Sequence, residues 1–352
     1  MSIRQEIEQR EQNHMSLWGV KSTESLGRAV LEPQDPLRTC FMVDRDRITH
    51  AKSFRRLKHK TQVFIAPPGD HYRTRLTHTL EVSQIARTIG TALNLNLDLI
   101  EAIALAHDVG HTPFAHSGEQ ILNQLLEGGF RHNENSIRVL TKIEQHRERP
   151  GLNLCQEVLD GVLYHSGYGE KAQQAATLEG QIIKLSDKIA YVNHDIDDSI
   201  RAGLLRTEDI PRDYLEVLGR THGERIASLV TDAISNTRVL LEQQTPRVEL
   251  SPSVHQVLIG IRKFMFQTIY QGNVCQEERS RAMFIVEKIY EYYHRNPHRL
   301  PQWYRTIAEE DGLSRAVADY ISGMSDEYCI ELFNDLYIPR SLVPQADKFD
   351  CE

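Results

Sequence analysis

The sequence predicts an all-α protein, and three features carry that prediction. Apolar residues recur at steps of three to five residues, which is the spacing of one helix face. No run of alternating β-branched residues indicates a strand. Proline- and glycine-rich stretches, such as residues 65–74, interrupt the periodic segments as loops do.

Composition narrows the class of protein. The chain has 352 residues, of which 40% are hydrophobic and 26% charged, as is usual for globular proteins. No apolar run approaches the ~18 residues of a membrane span, and the polar N-terminus lacks the apolar stretch of a secretory signal. Five scattered cysteines without a CxxC pair fit a reducing cytoplasm. A net charge of -8 gives no global attraction to nucleic acid. We therefore expect a cytoplasmic protein without a membrane segment.

The N-terminal third divides into three kinds of segment. Residues 1–40 read as a polar, partly irregular lead-in, because Pro33 and Pro36 interrupt any helix. Residues 46–62 are amphipathic and strongly basic. A clear helix then covers about 75–94, where one face carries Leu76, Leu80, Ile85, Ile89 and Leu93.

The next helix, LDLIEAIALAHDVG, is apolar on nearly every side, so we expect it to be central and buried. Asp98 with Glu101 resembles a capping pair at its start, and Gly110 ends it. Further helices are predicted at about 117–127, 133–147, 154–165, 179–203, 214–220, 222–244, 252–271, 278–295, 312–323 and 326–337.

We predict one domain rather than two independent ones. Its core covers about 45–203 and a helical C-terminal part about 213–340, with the stretch LLRTEDIPRD (204–213) as the joint. No internal repeat or low-complexity segment is present.

The strongest chemical feature is a set of histidines and aspartates on three helical segments. His78 lies in the first clear helix, His107 and Asp108 lie near the end of the apolar one, and Asp187 lies in a third. Imidazole and carboxylate ligands suit Mg, Mn, Fe, Co, Ni or Zn. Four ligands on a six-coordinate ion leave positions for water and a phosphate oxygen, as a catalytic site requires.

A His-Asp dipeptide is weak evidence alone, since about one is expected by chance in this composition. There are two, and their settings differ. His107 and Asp108 interrupt the apolar run AIALA, where a buried ionisable pair is costly unless something compensates it. The pair is therefore either functional or a hydrogen-bonded structural pair. His194 and Asp195 lie in the polar stretch NHDIDDS, which fits a solvated face.

The segment HDVGHTPFAHSGE places further ionisable groups beside that pair. His116 and Glu119 are three residues apart and share a face if the region is helical. A carboxylate beside an imidazole orients it and raises its basicity, as general acid–base catalysis requires. The alternative is an N-terminal cap with a surface charge. His111, in the same turn, is assigned to substrate binding.

Several ordered motifs together resemble a known family. They are DRDRITHAKSFRRLKHKTQVF, GDHYRTRLTHTLEV, ALAHDVGHTPFAHSGE, FRHNENS, LSDKIAYVNHDIDDSIRAG and YISGMSDEYCIELF, which cover about 39–338. The chain resembles the HD superfamily, specifically the bacterial deoxyguanosine triphosphate triphosphohydrolase-like group. This resemblance implies packed helices and hydrolysis between the α-phosphorus and the 5′-oxygen, which gives a deoxynucleoside and inorganic triphosphate.

The resemblance also implies roles by motif position. His78, His107, Asp108 and Asp187 match metal ligands. The matching catalytic residues are His116, Glu119 and His132, although Asn133 stands where some relatives have an acid. The positions that match substrate-binding groups are Gln62, Arg75, Lys184, Tyr191 and Asp195.

Helix geometry bears on the last of these segments. Lys184, Asp187, Tyr191 and Asp195 recur at steps of three and four residues, so they lie along one stripe of a helix whose other faces are apolar. Such a stripe is either the wall of a site or a solvated face. If the stripe is the wall of a site, Asp195 contacts the substrate and His194 points elsewhere.

The favoured function is metal-dependent hydrolysis of deoxynucleoside triphosphates, dGTP among them. The alternatives are a phosphodiesterase or nucleotidase of the same superfamily, and an oligomer that binds nucleotide or single-stranded DNA with vestigial hydrolysis. The basic run Arg55, Arg56, Lys58 and Lys60 either contacts phosphates or is a solvated helix face. The resemblance further implies a tetramer or hexamer and a possible nucleotide effector.

Overall fold

A computed structural model describes residues 1–62, 73–167, 173–270 and 273–339, apart from the side chains of 270 and 273–275. Within these ranges there are sixteen α-helices and one two-stranded antiparallel ribbon, β1 (Gln145–His146) with β2 (Arg149–Pro150), so the all-α prediction is confirmed. No described helix combines the length and apolar character that a membrane crossing needs. The helices are α1 (Ile3–His14), α2 (Cys40–His50), α3 (Lys52–Arg56), α4 (Arg75–Leu93), α5 (Leu97–Ala106), α6 (Ala115–Leu125), α7 (His132–Arg138), α8 (Gln156–Leu163), α9 (Leu178–Arg201), α10 (Arg212–Leu218), α11 (His222–Glu242), α12 (Pro252–Met265), α13 (Asn273–Arg295), α14 (Gln302–Asp311), α15 (Leu313–Ser322) and α16 (Asp326–Tyr337).

Three details of the helix prediction are wrong. Helix α1 lies in the expected irregular lead-in, where Ser2 and Gln5 form a capping box, and it buries no residue. Helix α14 was also not predicted. Helix α5 is capped by Asn96, whose side chain accepts from the backbone of Asp98 and Leu99, and not by an Asp98–Glu101 pair. Short polar helices lack the apolar stripe that reveals a helix in sequence.

The first hydrophobic core contains α4, α5 and α9, which pack against one another, with α2, α8, α11 and α12 around them. Helix α5 is central because nearly all of its residues are apolar and buried, as predicted. The predicted joint, residues 204–213, contains a 3₁₀ turn at Thr207–Asp209 and the start of α10, which packs on α11 and α12.

A second core joins α6 to the C-terminal helices α13, α15 and α16, and its largest buried side chains include Phe114 and Leu122. Helix α6 therefore belongs to the N-terminal part in sequence and to the C-terminal core in space. Polar contacts cross the same boundary, because Nζ of Lys60 donates to the carbonyl oxygens of His111 and Ser322. The single-domain description stays a prediction.

The basic run does not form one phosphate-facing stripe. Arg55, Arg56 and Lys58 are exposed, whereas Lys60 is buried between the two parts of the fold. Its ammonium group satisfies backbone carbonyls and is not available to a surface ligand.

Candidate active site

Helix α4, the end of α5 and helix α9 bring the four predicted metal ligands together. His78 belongs to the buried stripe of α4, and His107 with Asp108 follows the last turn of α5. All three are almost fully buried, and one ligand atom from each lies within 4.8 Å of the others. Asp187 reaches this cluster from α9, with Oδ1 3.1 Å from Nε2 of His78.

The spacing of these atoms fits a single divalent ion. The Nε2 atom of His107 lies 3.4 Å from Oδ1 of Asp108 and 4.0 Å from Oδ1 of Asp187, and Nε2 of His78 lies 3.8 Å from Oδ2 of Asp108. Ligands about 2.1 Å from an octahedral ion are about 3.0 Å apart when adjacent and about 4.2 Å apart when opposite. The observed distances fall in that interval.

The hydrogen bonding of His107 supports the same conclusion. Its Nδ1 donates to the carbonyl oxygen of Ala104 at 2.6 Å, which leaves the lone pair on Nε2. That Nε2 atom is buried and has no hydrogen-bond partner. A buried acceptor directed at carboxylates is unfavourable without a cation between them.

Nearby positive charge keeps both carboxylates ionised. Burial alone would raise the pKa of Asp108, but His107, His111 and Arg75 outweigh it and hold that pKa well below its ordinary value. Nη1 of Arg75 donates to Oδ2 of Asp108 at 2.7 Å. For Asp187, burial is likewise outweighed by His78 and His107, and its pKa is lowered.

The turn that follows Asp108 is fastened to α7. Ser136 Oγ accepts from the backbone N–H of Gly110 at 2.9 Å and donates to the carbonyl oxygen of His107. The side chain of Asn135 donates to the carbonyl oxygen of Gly110 at 2.8 Å. Gly110 is required by this close approach, since a β-carbon there would lie 2.1 Å from the backbone nitrogen of Ser136.

A strained turn then leads into α6. Phe114 and Ala115 both have positive φ, 59° and 51°, which is uncommon for residues other than glycine. The turn is held by Asp326, whose carboxylate accepts from the backbone N–H of Phe114 at 2.9 Å. The C-terminal part of the chain thereby sets the direction in which His116 leaves the turn.

The carboxylate of Glu119 lies between two histidines. Nδ1 of His132 is 3.0 Å from Oε1 of Glu119, and Nδ1 of His116 is 3.4 Å from Oε2. Burial opposes ionisation of Glu119, but the hydrogen bonds of His116 and His132 outweigh it and lower its pKa. Burial alone would lower the pKa of His132, but the hydrogen bond and charge of Glu119 outweigh burial. The pKa of His132 is therefore raised. The His116 side chain is 50% exposed, so it remains open to a ligand.

His111 connects this pair to the metal cluster. Its Nε2 lies 3.1 Å from Oδ1 of Asp108, and its ring stacks on that of His132 with centroids 4.1 Å apart. Burial, together with Arg75 and His132, lowers the pKa of His111. His111 is therefore neutral beside the carboxylate of Asp108.

One open cavity is lined by nine of the residues that the sequence singled out: Gln62, Arg75, His78, Asp108, His111, His116, His132, Asp187 and Tyr191. Sequence reasoning missed three further ionisable residues that line it. Lys188 follows a predicted metal ligand, and Arg262 comes from α12, far away in the chain. The third, His165, donates through Nδ1 to the carbonyl oxygen of Val162, and burial, with the charges of His107 and His132, lowers its pKa to about 3. No spacing signal in the sequence marks these three residues.

Two predicted substrate contacts lie elsewhere. Nζ of Lys184 donates to the carbonyl oxygen of Gln173, and neither Lys184 nor Asp195 lines the cavity within the described part of the chain. The lysine of α9 that lines the cavity is Lys188, not Lys184. The residues of α9 that line it are therefore Asp187, Lys188 and Tyr191. His194 does not line the cavity and points at His78.

A larger cavity, of about 930 Å³ against about 180 Å³, lies beside α2 and the N-terminal segment. Its arginines are largely neutralised in place, as in the pairs of Arg28 with Asp44, Arg47 with Glu32, and Arg38 with Asp35. The smaller cavity holds the histidines and carboxylates that can do chemistry, so we assign the site to it.

Comparison with known proteins agrees with the resemblance. The chain matches the HD domain over residues 75–192 and a phosphohydrolase-associated domain over 248–335. It is similar to proteins named deoxyguanosinetriphosphate triphosphohydrolase-like protein. The one from Clostridium tetani is 56% identical over 97% of this chain and 98% of its own. The relative from Caldanaerobacter subterraneus is 49% identical over 96% of this chain and 97% of its own. The relative from Desulfatibacillum aliphaticivorans is 38% identical over 97% of this chain and 100% of its own.

Proposed function

The chain belongs to the family of deoxyguanosinetriphosphate triphosphohydrolase-like proteins with an HD domain, and on this premise we propose that it hydrolyses deoxynucleoside triphosphates. Its products are a deoxynucleoside and inorganic triphosphate. The observation that carries the proposal is the convergence of two imidazoles and two carboxylates beside a second group of histidines in one open cavity.

The proposed ligands of the divalent ion are His78, His107, Asp108 and Asp187. When bound, such an ion neutralises charge on phosphate oxygens and promotes the ionisation of water. Arg75 holds the carboxylate of Asp108 in place through the bond from Nη1. Mg, Mn, Fe, Co and Ni all suit this donor set.

The cationic groups of the cavity are assigned to the triphosphate. Arg75, Lys188 and Arg262 line it and carry the charge that the phosphates require. Burial and the nearby charge of Lys184 lower the pKa of Lys188 to about 8, which leaves it mostly protonated at neutral pH. Gln62 and Tyr191 line the same wall and are assigned to the sugar and the phosphates.

The proposed reaction forms a bond from water oxygen to the α-phosphorus and breaks the bond to the 5′-oxygen. The departing 5′-oxygen takes up a proton from His116, the exposed histidine of the site, and the attacking water releases one proton to solvent. Glu119 orients His116 and also holds His132. Proton transfer from a positioned side chain typically contributes ~10²–10⁴-fold to the rate.

The experiment is incubation of purified protein with each dNTP, and with Mg²⁺, Mn²⁺ or Co²⁺ in turn, while triphosphate, diphosphate and monophosphate are resolved. Intact triphosphate supports the proposal. Release of monophosphate or cleavage of a phosphodiester instead assigns the site to another phosphohydrolase reaction.

Two variants test the assigned roles. His116→Ala should lower kcat ~10²–10⁴-fold with the metal content unchanged, whereas Asp187→Asn should lose both metal and activity. The matched control is His298→Ala, a histidine on an exposed 3₁₀ turn outside the site, which should behave as the wild type. Full turnover by His116→Ala would remove His116 from the mechanism.

We extend the proposal to a cytoplasmic homo-oligomer, a tetramer or hexamer, with a possible nucleotide effector. Light scattering with and without dNTP tests the assembly. Binding to single-stranded DNA, the remaining alternative, would fall steeply with salt.

A further inference from the structure

His194 lies behind the proposed metal ligands and has no assigned part in the reaction. Its Nδ1 is 3.2 Å from Nδ1 of His78, and the two rings meet edge-on, with centroids 5.3 Å apart at 82°. On the other side, Nε2 of His194 lies against Oε2 of Glu81, one turn after His78 on α4. The His194 side chain is only 1% exposed, so water does not replace these partners.

A hydrogen bond between the two Nδ1 atoms requires one of them to carry a proton, and which one does so decides whether His78 can bind a metal. If His78 carries it, the lone pair of His78 is on Nε2, which faces Asp187 and Asp108. If His194 carries it, His78 is protonated on Nε2 and presents an N–H to the metal position. Only the first arrangement makes His78 a ligand.

Glu81 favours that first arrangement. When His194 accepts through Nδ1, its own proton is on Nε2, where the close contact with the Glu81 carboxylate favours it electrostatically. In the reverse arrangement a lone pair on Nε2 would face the carboxylate, which is repulsive. Arg73 fixes Glu81 in turn, with Nε 3.4 Å from Oε1 and Nη1 bound to Asp198 at 2.8 Å.

We propose that Glu81 and His194 are positioning residues that hold His78 in the tautomer and ring orientation needed to bind a divalent ion. The inference rests on the proposed metal role of His78. The proposed chain runs from the hydrogen bond between His78 and His194 to the close contact of His194 with the carboxylate of Glu81, and it leads outward from the site.

Two substitutions of His194 distinguish the effect of its hydrogen-bond acceptor from the effect of its ring volume. His194→Phe keeps a ring but removes the acceptor, and the affinity of the metal-free protein for Mn²⁺ should fall ~10–100-fold, as for other partners of metal-bound histidines. His194→Asn keeps an acceptor oxygen close to the position of Nδ1, and it should recover most of that loss.

Substitutions of Glu81 test whether Glu81 acts on His78 through His194. Glu81→Gln keeps an oxygen that accepts from His194 and should bind Mn²⁺ more tightly than Glu81→Leu, which does not. Because Glu81 acts through His194, the double variant Glu81→Leu with His194→Phe should bind no more weakly than His194→Phe alone. Additive losses would overturn the proposed chain.

The measurement is free Mn²⁺ by electron paramagnetic resonance during titration of chelator-treated protein, together with urea unfolding of the metal-free form. Ile196→Val, a fully buried change on the same helix, should lower the midpoint of urea unfolding and leave the Mn²⁺ affinity unchanged. At saturating Mn²⁺, turnover of His194→Phe should return towards the wild-type value, because the groups facing the cavity are intact.

The outcomes distinguish this inference from the proposed function. Wild-type Mn²⁺ affinity in His194→Phe, with binding abolished in Asp187→Asn, overturns the inference alone. Equal weakening in His194→Phe and His194→Asn overturns the acceptor role. If Asp187→Asn binds Mn²⁺ as tightly as the wild type, the proposed metal site fails, and the inference fails with it.

Discussion

Replacing Gly110 with Ala tests how closely the turn that carries the proposed metal ligands His107 and Asp108 packs against helix α7. A β-carbon at this position would lie 2.1 Å from the backbone nitrogen of Ser136, 2.5 Å from the carbonyl oxygen of His132 and 2.6 Å from the carbonyl carbon of Asn135. These are backbone atoms, which cannot rotate away as a side chain can. Helix α7 must therefore move away by about 1 Å or more.

The cost follows from the contacts that such a movement breaks. Overpacking of a core typically costs ~1–3 kcal/mol, and the bonds of Ser136 and Asn135 to the backbone of Gly110 contribute ~1 kcal/mol each. We expect the free energy of unfolding to fall by about 3–5 kcal/mol. The same movement carries His132 away from Glu119, and a misplacement of ~1 Å in a site can lower kcat ~10²-fold.

The assay combines urea unfolding with release of triphosphate from dGTP. Gly223→Ala is the matched control, because a β-carbon there meets no atom within 4 Å in the first turn of α11. Alanine is the better helix former, so this control should be as stable as the wild type or up to ~1 kcal/mol more stable. A Gly110→Ala protein as stable and active as Gly223→Ala would refute the packing argument. Lost stability with unchanged kcat would refute the link to His132.

Three further predictions follow from buried charges. In Glu119→Gln, kcat should fall ~10²–10⁴-fold. The loss of stability should shrink as the pH rises through the raised pKa of His132, because the stabilisation of protonated His132 ends there; a loss that is constant with pH would contradict this. Burial lowers the pKa of Lys60 from 10.5 to about 7, so above that pH the unfolded chain binds more protons. In urea unfolding, the stability of the wild type relative to Lys60→Met should then increase by up to ~1.4 kcal/mol for each pH unit of rise. A stability difference that does not change with pH would contradict this prediction. Arg75→Gln removes the guanidinium that is bound to the buried carboxylate of Asp108 and should cost ~3–5 kcal/mol in metal-free protein. Calorimetry should show a smaller loss with Mn²⁺ bound, and an equal loss would count against a cation beside Asp108.

Local sequence was sufficient for most of the helices and for the groups that act within one helix. Apolar residues at helical spacing predicted α4 and α5, since the period of a helix is a property of the chain itself. The pairing of His116 with Glu119 followed from a separation of three residues on one helix. The motifs pointed to His78, His107, Asp108 and Asp187, and these side chains do converge.

Contacts between distant segments were decided only by the tertiary structure. Arg262 and Lys188 meet in one cavity from different helices, and Glu81 reaches His194 across α4 and α9. Asp326 sets the turn before α6 from more than two hundred residues away in the chain. A helix repeats its faces every 3.6 residues, but that period does not say which helix will pack on a given face. The sequence therefore determined which side chains could do chemistry, and packing determined which of them meet and which serve only to hold the others.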